Sequence, residues 1–237
     1  MTAAESQASD TAASGQPAVL RRQVLDDALE KARFAARVDA GDDGAALKVT
    51  VLSSKAPFDR TVGDATAWLA GAGIEGTAAL NDVYDIVLTL RTAASVDRCI
   101  AVLLDPYIGA HTAAAHLDDC LKGHGLTGEI TVLETHVELA LPDDELGSAV
   151  TLAALLGAPG IGDDLVLTRR RGLRRLAERL RWLLTGAVGS VVPVTAEPGC
   201  AHAPERVTVH LTIGQAHRLA QCLARPAQDT PPAGCSG

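Results

Sequence analysis

Two glycine clusters and the segments around them constrain the fold of this 237-residue chain more than any other feature. GAGIEG at 71–76 and GHGLTG at 123–128 both match the pattern G-x-G-x-x-G. In dinucleotide-binding proteins that pattern follows a strand and begins a helix, so that helix amides face a pyrophosphate. Here DATAWLA and HLDDCLK predict helices that enter the clusters, and strands leave them. We therefore expect these glycines to end helices in left-handed conformations, and we expect no cofactor.

The sequence around the two clusters also repeats. WLAGAGIEGTAAL at 68–80 aligns with CLKGHGLTGEITV at 120–132, and WLLTGAVGSVVPV at 182–194 is a fainter third copy. Each copy predicts a helix, two strands and a second helix. Self-similarity of this kind indicates repeated supersecondary units, although chains rich in Ala, Leu and Gly also produce such echoes by chance.

These units predict an α+β fold: two or three degenerate helix–strand–strand–helix units in ferredoxin-like layers, with helices covering antiparallel sheets. Residues 20–38 predict an opening helix, and residues 45–54 predict a strand. The glycine-rich segment PGIGDD at 159–164 predicts an internal boundary. We expect a disordered tail at 1–19 and a first α+β region at 20–158. A smaller second region with an arginine-rich helix is expected at 159–223, followed by a second disordered tail at 224–237.

Composition limits the kind of core, the cellular compartment and the partners that we expect for this chain. Hydrophobic residues make up 47% but aromatic residues only 3%, so the core must consist mostly of Ala, Val and Leu. The N-terminus lacks the features of a secretory signal, and no apolar stretch approaches the ~18–20 residues needed to cross a bilayer. Five widely spaced cysteines without a C-x-x-C pair favour a reducing cytoplasm. The formal net charge of −8 argues against a general nucleic-acid coat.

The segment TRRRGLRRLAERLRWLL at 168–184 stands out in this acidic chain because it contains seven arginines. At 100° per residue its leucines form one apolar stripe, which predicts burial. The opposite face predicts a partner-binding surface made of Arg171, Arg174, Arg175, Arg179 and Trp182.

Several occupants of that face are consistent with its chemistry. Arginines could hold carboxylates of an acidic partner protein, or those of this chain's own acidic loops, through bidentate contacts. They could grip the phosphates of a nucleic acid while the tryptophan stacks on a base. A simply solvated face is a further interpretation, and a membrane surface is the least favoured because the core should use the leucines.

Two other groups of residues suggest chemistry. Glu134, His136 and Glu138 alternate along a predicted strand, and a histidine between carboxylates could serve as an acid–base centre or a metal site. Alternation with apolar neighbours favours a plain exposed strand face instead.

The second group, His116, Asp119 and Cys120, shares one helix face and could bind zinc together with Cys200 and His202. A core cysteine beside a surface histidine is the favoured interpretation.

No established catalytic signature is present in the sequence. The leading hypothesis is thus a cytoplasmic, non-enzymatic binding, adaptor or regulatory protein with an acidic partner; a nucleic-acid-binding protein and a small-molecule enzyme are the alternatives.

Overall fold

The computed structural model describes residues 18–41, 45–133, 136–142, 147–167, 169–198 and 205–224. Most of the two predicted tails lies outside these residues. The chain divides into two compact units, Met1–Ile108 and Gly109–Gly237.

The first unit places helices on one face of a four-stranded antiparallel sheet. Its elements are α1 (Ala18–Ala32), β1 (Ala36–Ala40), β2 (Leu47–Val51), α2 (Val62–Gly71), β3 (Gly76–Leu80), β4 (Ile86–Leu90) and α3 (Ala93–Cys99). The strands are ordered β1-β2-β4-β3. Alternate strand residues, such as Val49 and Leu88, are fully buried against helix residues such as Leu25 and Leu69. The core is therefore aliphatic, as the composition predicts.

The second unit has a sheet of the same order, β5-β6-β8-β7. Its elements are α4 (Asp105–Gly123, which begins in the first unit), β5 (Glu129–Leu133), β6 (His136–Pro142), α5 (Gly147–Leu155), α6 (Arg170–Val188), β7 (Val194–Glu197), β8 (Arg206–Thr212) and α7 (Ile213–Ala224). The predicted α+β class, with antiparallel sheets and helix–strand–strand–helix units, is confirmed. A helix followed by two strands occurs four times, starting at α1, α2, α4 and α6.

The glycine clusters end helices, as predicted. Gly73 and Gly125 have φ values of 67° and 69°, in the left-handed region that glycine adopts without steric cost. After α2, the Ile74 N–H donates to the Leu69 carbonyl at 2.9 Å; after α4, Leu126 donates to Leu121 at 3.0 Å. Both are Schellman closures. A strand leaves each cluster, which is the reverse of the polarity that a dinucleotide site requires.

The predicted opening helix at 20–38 is wrong at its C-terminal end. Helix α1 stops at Ala32, and residues 36–40 form β1. Arg33 has a φ of 48°, and the Phe34 N–H donates to the Leu29 carbonyl at 3.1 Å, so the same closure forms with arginine in the left-handed position. Phe34, only 5% exposed, then turns into the core. Because this position is not a glycine, the sequence gives no local signal that the helix ends here.

The predicted boundary at 159–164 also differs from the structure. The chain divides between Ile108 and Gly109. Strand β6, from the expected first region, pairs with β8, from the expected second region, through partners such as Leu139 and Val209. The strands after residue 164 therefore complete a sheet whose first half precedes it.

The division between Ile108 and Gly109 falls within a helix rather than in a loop. Helical structure continues from α3 into α4 through a π-helical turn at Ile100–Leu104, where the Asp105 N–H donates to the Ile100 carbonyl. Pro106 lacks an N–H and would clash with the carbonyl four residues earlier in a regular helix. The wider π turn accommodates the proline.

Candidate arginine-rich interface

Helix α6 is amphipathic, and its apolar face belongs to the core of the second unit. The buried residues of this face are Leu173, Leu176, Ala177, Leu180, Leu184 and Val188. Gly172 is also buried, and a Cβ at this position would collide with the Val166 carbonyl. The segment before the helix therefore packs directly on its first turn. This packing fixes which side of α6 faces outward.

The outward side carries the predicted partner-binding residues, and we call Arg171, Arg174, Arg175, Arg179 and Trp182 the arginine face. The first three of these are exposed, and Trp182 is 66% exposed. Within the described part of the chain, no hydrogen bond or ion pair joins Arg171, Arg174 or Arg175 to another side chain. Their donors are therefore available to a partner.

Arg179 differs from these three because it already has an acidic partner within its own unit. Its guanidinium donates to both carboxylate oxygens of Asp164, at 2.6 and 2.8 Å, and to the Ile161 carbonyl at 2.6 Å. The hydrogen bond from Arg179, with the charges of Arg179 and Arg175, lowers the pKa of Asp164 to about 2. Arg179 thus joins the 157–167 segment to α6. This is a bidentate contact with an acidic loop of the same chain, one of the alternatives that the sequence allowed.

A further arginine joins the face beside Trp182. The guanidinium carbon of Arg181 lies 5.1 Å from the centre of the Trp182 ring, within the range of a cation–π contact. A helical wheel places adjacent residues 100° apart and so separates these two. The length of the arginine side chain brings them together, which is why the sequence did not assign Arg181 to the face.

The N-terminus of α6 lacks the usual compensation for its positive dipole. The N-cap residue Arg169 accepts no hydrogen bond through its side chain, and the first turn contains Arg170 and Arg171 but no acidic residue. Asp163 and Asp164, which the sequence places just upstream, lie on the preceding segment, and Asp164 is occupied by Arg179. Cations at this end of a helix are unfavourable unless an anion is nearby. Helix stability therefore does not account for these arginines.

One member of the predicted acid–base group, Glu134, lies outside the described residues. His136 is exposed, and Glu138 is half-buried on the face of the sheet opposite the helices. His210 on β8 faces Glu138, with 3.6 Å between Nδ1 and Oε2. Nowhere in the described ranges do three or more acidic, histidine or cysteine side chains converge as metal ligands. This arrangement fits a polar strand face.

Only part of the predicted zinc group lies within the described residues. Cys200 and His202 lie outside the described ranges. The imidazoles of His116 and His217 approach to 6.2 Å between ring centres, while Cys120 packs against the core. Burial and the neighbouring Asp119 raise the pKa of Cys120, which favours the thiol over the thiolate that zinc requires. The described residues thus place a partly buried cysteine at the edge of the core and an exposed His116 on the same helix.

No helix within the described ranges combines the length and apolar content needed to span a membrane. Comparison with known proteins gives no match to this chain among family models, curated proteins or solved structures.

Proposed function

We propose that this chain is a non-enzymatic binding, adaptor or regulatory protein, and that its arginine face contacts an acidic partner protein. One observation carries the proposal: Arg171, Arg174 and Arg175 are exposed and unpaired among the described residues, on the same side of α6 as the exposed Trp182. Arginine and tryptophan are enriched among residues that dominate protein–protein binding energies.

The electrostatics of α6 support an anionic ligand. Arg171, Arg174 and Arg175 lie in the first two turns, where their charges add to the positive end of the helix dipole. A carboxylate brought to this end gains both the dipole and charge-assisted hydrogen bonds, including bidentate ones. An acidic segment is therefore the complement of this surface.

The aromatic residue favours a partner that also offers apolar area. Trp182 lies about two helical turns beyond Arg175, and one of its faces is near Arg181. This leaves the outer part of the ring for contact with a partner. A peptide with acidic residues at one end and an apolar side chain at the other matches the order of the face.

Protein is favoured over nucleic acid by the small extent of the arginine face. With a formal net charge of −8, the rest of the chain repels an extended polyanion that reaches beyond this face, whereas a short acidic segment contacts the face alone. Nucleic acids are usually bound through many phosphate contacts, whereas this face offers three unpaired guanidiniums. The cytoplasmic location and the lack of catalysis stay predictions.

The proposal is tested with a fluorescent peptide of alternating glutamate pairs and leucines. Fluorescence anisotropy measures its binding to the full chain and to the R171Q/R174Q/R175Q variant, which keeps the Arg179 clamp. The control is R22Q/R37Q/R91Q, which removes the same charge at exposed positions of the first unit. We expect the test variant to bind about tenfold more weakly or worse, and the control to bind within about twofold of the parent.

Two outcomes would overturn the proposal. Equal weakening by both triple variants would show that the peptide responds only to net charge. Tighter binding of a short DNA duplex or RNA than of the peptide, with steep weakening between about 50 and 200 mM salt, would assign the face to nucleic acid instead.

A further inference from the structure

A second candidate site lies in the first unit, independent of the arginine face. The loop between β2 and α2 and the outer side of α2 enclose an open groove with a volume of about 460 Å³. Its lining contains two aromatic rings, Phe58 and Trp68, and two carboxylates, Asp59 and Asp64; two alanines and a proline complete it. The volume falls within the range of roughly 300–1,000 Å³ that small-ligand sites occupy.

The two rings concentrate aromatic surface in a chain that has very little of it. Phe58 and Trp68 are two of only six aromatic residues, counting Phe, Trp and Tyr. Their centroids are 5.3 Å apart with an interplanar angle of 48°, and both rings are only half-buried. They pack against the core and also line the groove, so part of their aromatic surface is accessible there. Such surface attracts cations.

The loop that carries Phe58 is held in place by hydrogen bonds from outside the groove. The Tyr107 hydroxyl donates to the Lys55 carbonyl at 2.6 Å, and the backbone N–H groups of Leu52 and Ser53 donate to the Ala35 carbonyl at 3.0 and 2.8 Å. The groove is therefore formed before any ligand binds, which lowers the entropic cost of binding.

The carboxylates give the groove its charge. One oxygen of Asp64 accepts a hydrogen bond from the Thr61 hydroxyl at 2.7 Å, which orients the carboxylate at the start of α2. Among the described residues, Asp59 has no side-chain partner. The nearby cations Lys55 and Arg60 do not line the groove, and Arg60 extends toward the Leu52 carbonyl instead, at 3.5 Å.

From these observations we infer that the groove binds an alkylguanidinium group, as in an arginine side chain. A guanidinium is planar and weakly hydrated, so it can stack on an aromatic face while donating two hydrogen bonds to a carboxylate. The lining of the groove contains both kinds of partner. A lysine ammonium lacks the planar face, and a neutral group lacks the charge.

The experiment uses Trp68 as its own reporter. The chain contains only two tryptophans, so Trp182→Phe leaves Trp68 as the sole emitter in an otherwise complete protein. The probe is N-acetyl-arginine amide, titrated while Trp68 fluorescence is recorded. N-acetyl-citrulline amide, a neutral analogue of the same shape, and N-acetyl-lysine amide are the matched ligands. The compound n-propylguanidine, which has the same single charge as the arginine probe, tests whether the guanidinium suffices without the peptide amides.

We expect saturable binding of the arginine probe, with the citrulline analogue about tenfold weaker or worse and the lysine analogue between them. Asp59→Asn and Asp64→Asn should each weaken arginine binding at least about threefold, while Asp82→Asn, an exposed carboxylate elsewhere in the unit, should leave it unchanged. Binding of n-propylguanidine as tight as that of the arginine probe would identify a free guanidino compound as the simplest ligand, and weaker binding of n-propylguanidine would identify a peptide arginine.

The inference is overturned if citrulline binds as well as arginine, or if Asp82→Asn weakens binding as much as Asp59→Asn does. Asp64 also helps to start α2, so circular dichroism of Asp64→Asn must match the parent. Asp59 has no such role, and the Asp59→Asn result decides the matter if Asp64→Asn fails to fold.

Discussion

Arg179 and Asp164 form a bidentate pair in which two guanidinium N–H groups meet the two carboxylate oxygens at 2.6 and 2.8 Å. The pair joins α6 to the segment that precedes it, and a third hydrogen bond to the Ile161 carbonyl strengthens the junction. One member of the arginine face is thus committed to the architecture of its own unit. Its neighbours one turn earlier remain available for a partner.

The Asp164 pair predicts a specific dependence of stability on pH. Its pKa falls from the ordinary value of 3.8 to about 2 in the folded protein. The contribution to the free energy of unfolding is complete above about pH 4 and is lost as the pH falls toward 2, because the unfolded chain binds the proton first. Urea unfolding between pH 2 and 5 should show a shallower loss of stability in Asp164→Asn than in the parent. Asp82→Asn is the control, and an unchanged slope in Asp164→Asn would contradict the prediction.

Two glycines of α6 predict opposite effects of the same substitution. Gly172→Ala should lower the free energy of unfolding by about 1–3 kcal/mol, because the new methyl group meets the Val166 carbonyl. Gly186→Ala should raise it by roughly 0.5–1 kcal/mol, since nothing lies within 4 Å and alanine favours the helix. Chemical denaturation of both variants measures the difference. Similar effects at the two positions would show that the close approach at Gly172 is absent.

The left-handed residue after α1 predicts a stabilising replacement. Arg33 has a φ of 48° and an exposed side chain, so Arg33→Gly should relieve steric strain and raise the free energy of unfolding by about 1 kcal/mol. Gly125→Ala, at the equivalent closure after α4, should lower it by a similar amount. Thermal unfolding of the two variants provides the comparison. A loss of stability in Arg33→Gly would refute this account of the helix end.

The buried cysteine of α3 predicts protection from alkylation. Burial raises the pKa of Cys99 to about 12, from an ordinary value of 9.0. At pH 8 this lowers the thiolate fraction by about a thousandfold, and the thiolate is the reactive form. Mass spectrometry after iodoacetamide treatment should find Cys99 unmodified in the folded protein and modified in denaturant. Rapid labelling of Cys99 without denaturant would argue against its burial.

Much of the architecture could be predicted from the sequence because it depends on local signals. Gly73 and Gly125 mark helix ends by their conformational freedom, and the leucine stripe of α6 follows the helical period. The same signals revealed three of the four helix–strand–strand segments. The first was missed because Arg33, rather than glycine, occupies its left-handed position.

The remaining features depend on contacts between residues distant in sequence. Because β6 pairs with β8, the chain divides after Ile108 and not at 159–164. No local sequence pattern indicates this pairing. The Arg179–Asp164 pair spans 15 residues, and the groove forms where an irregular loop brings Phe58 to Trp68. Loop conformations of this kind follow from tertiary packing and hydrogen bonds rather than from periodicity.

The strand order of the two sheets has a consequence for how this architecture can assemble. In each sheet the central pair, β2 with β4 or β6 with β8, runs antiparallel, and each half contributes one hairpin and its preceding helix. Exchanging the halves maps the sheet onto itself, which is the relation produced by a two-fold axis. The inner strand of each half pairs antiparallel with the corresponding strand of the other half. Two identical halves on separate chains would therefore build the same layer as a homodimer, and each sheet of this chain corresponds to such a pair joined covalently.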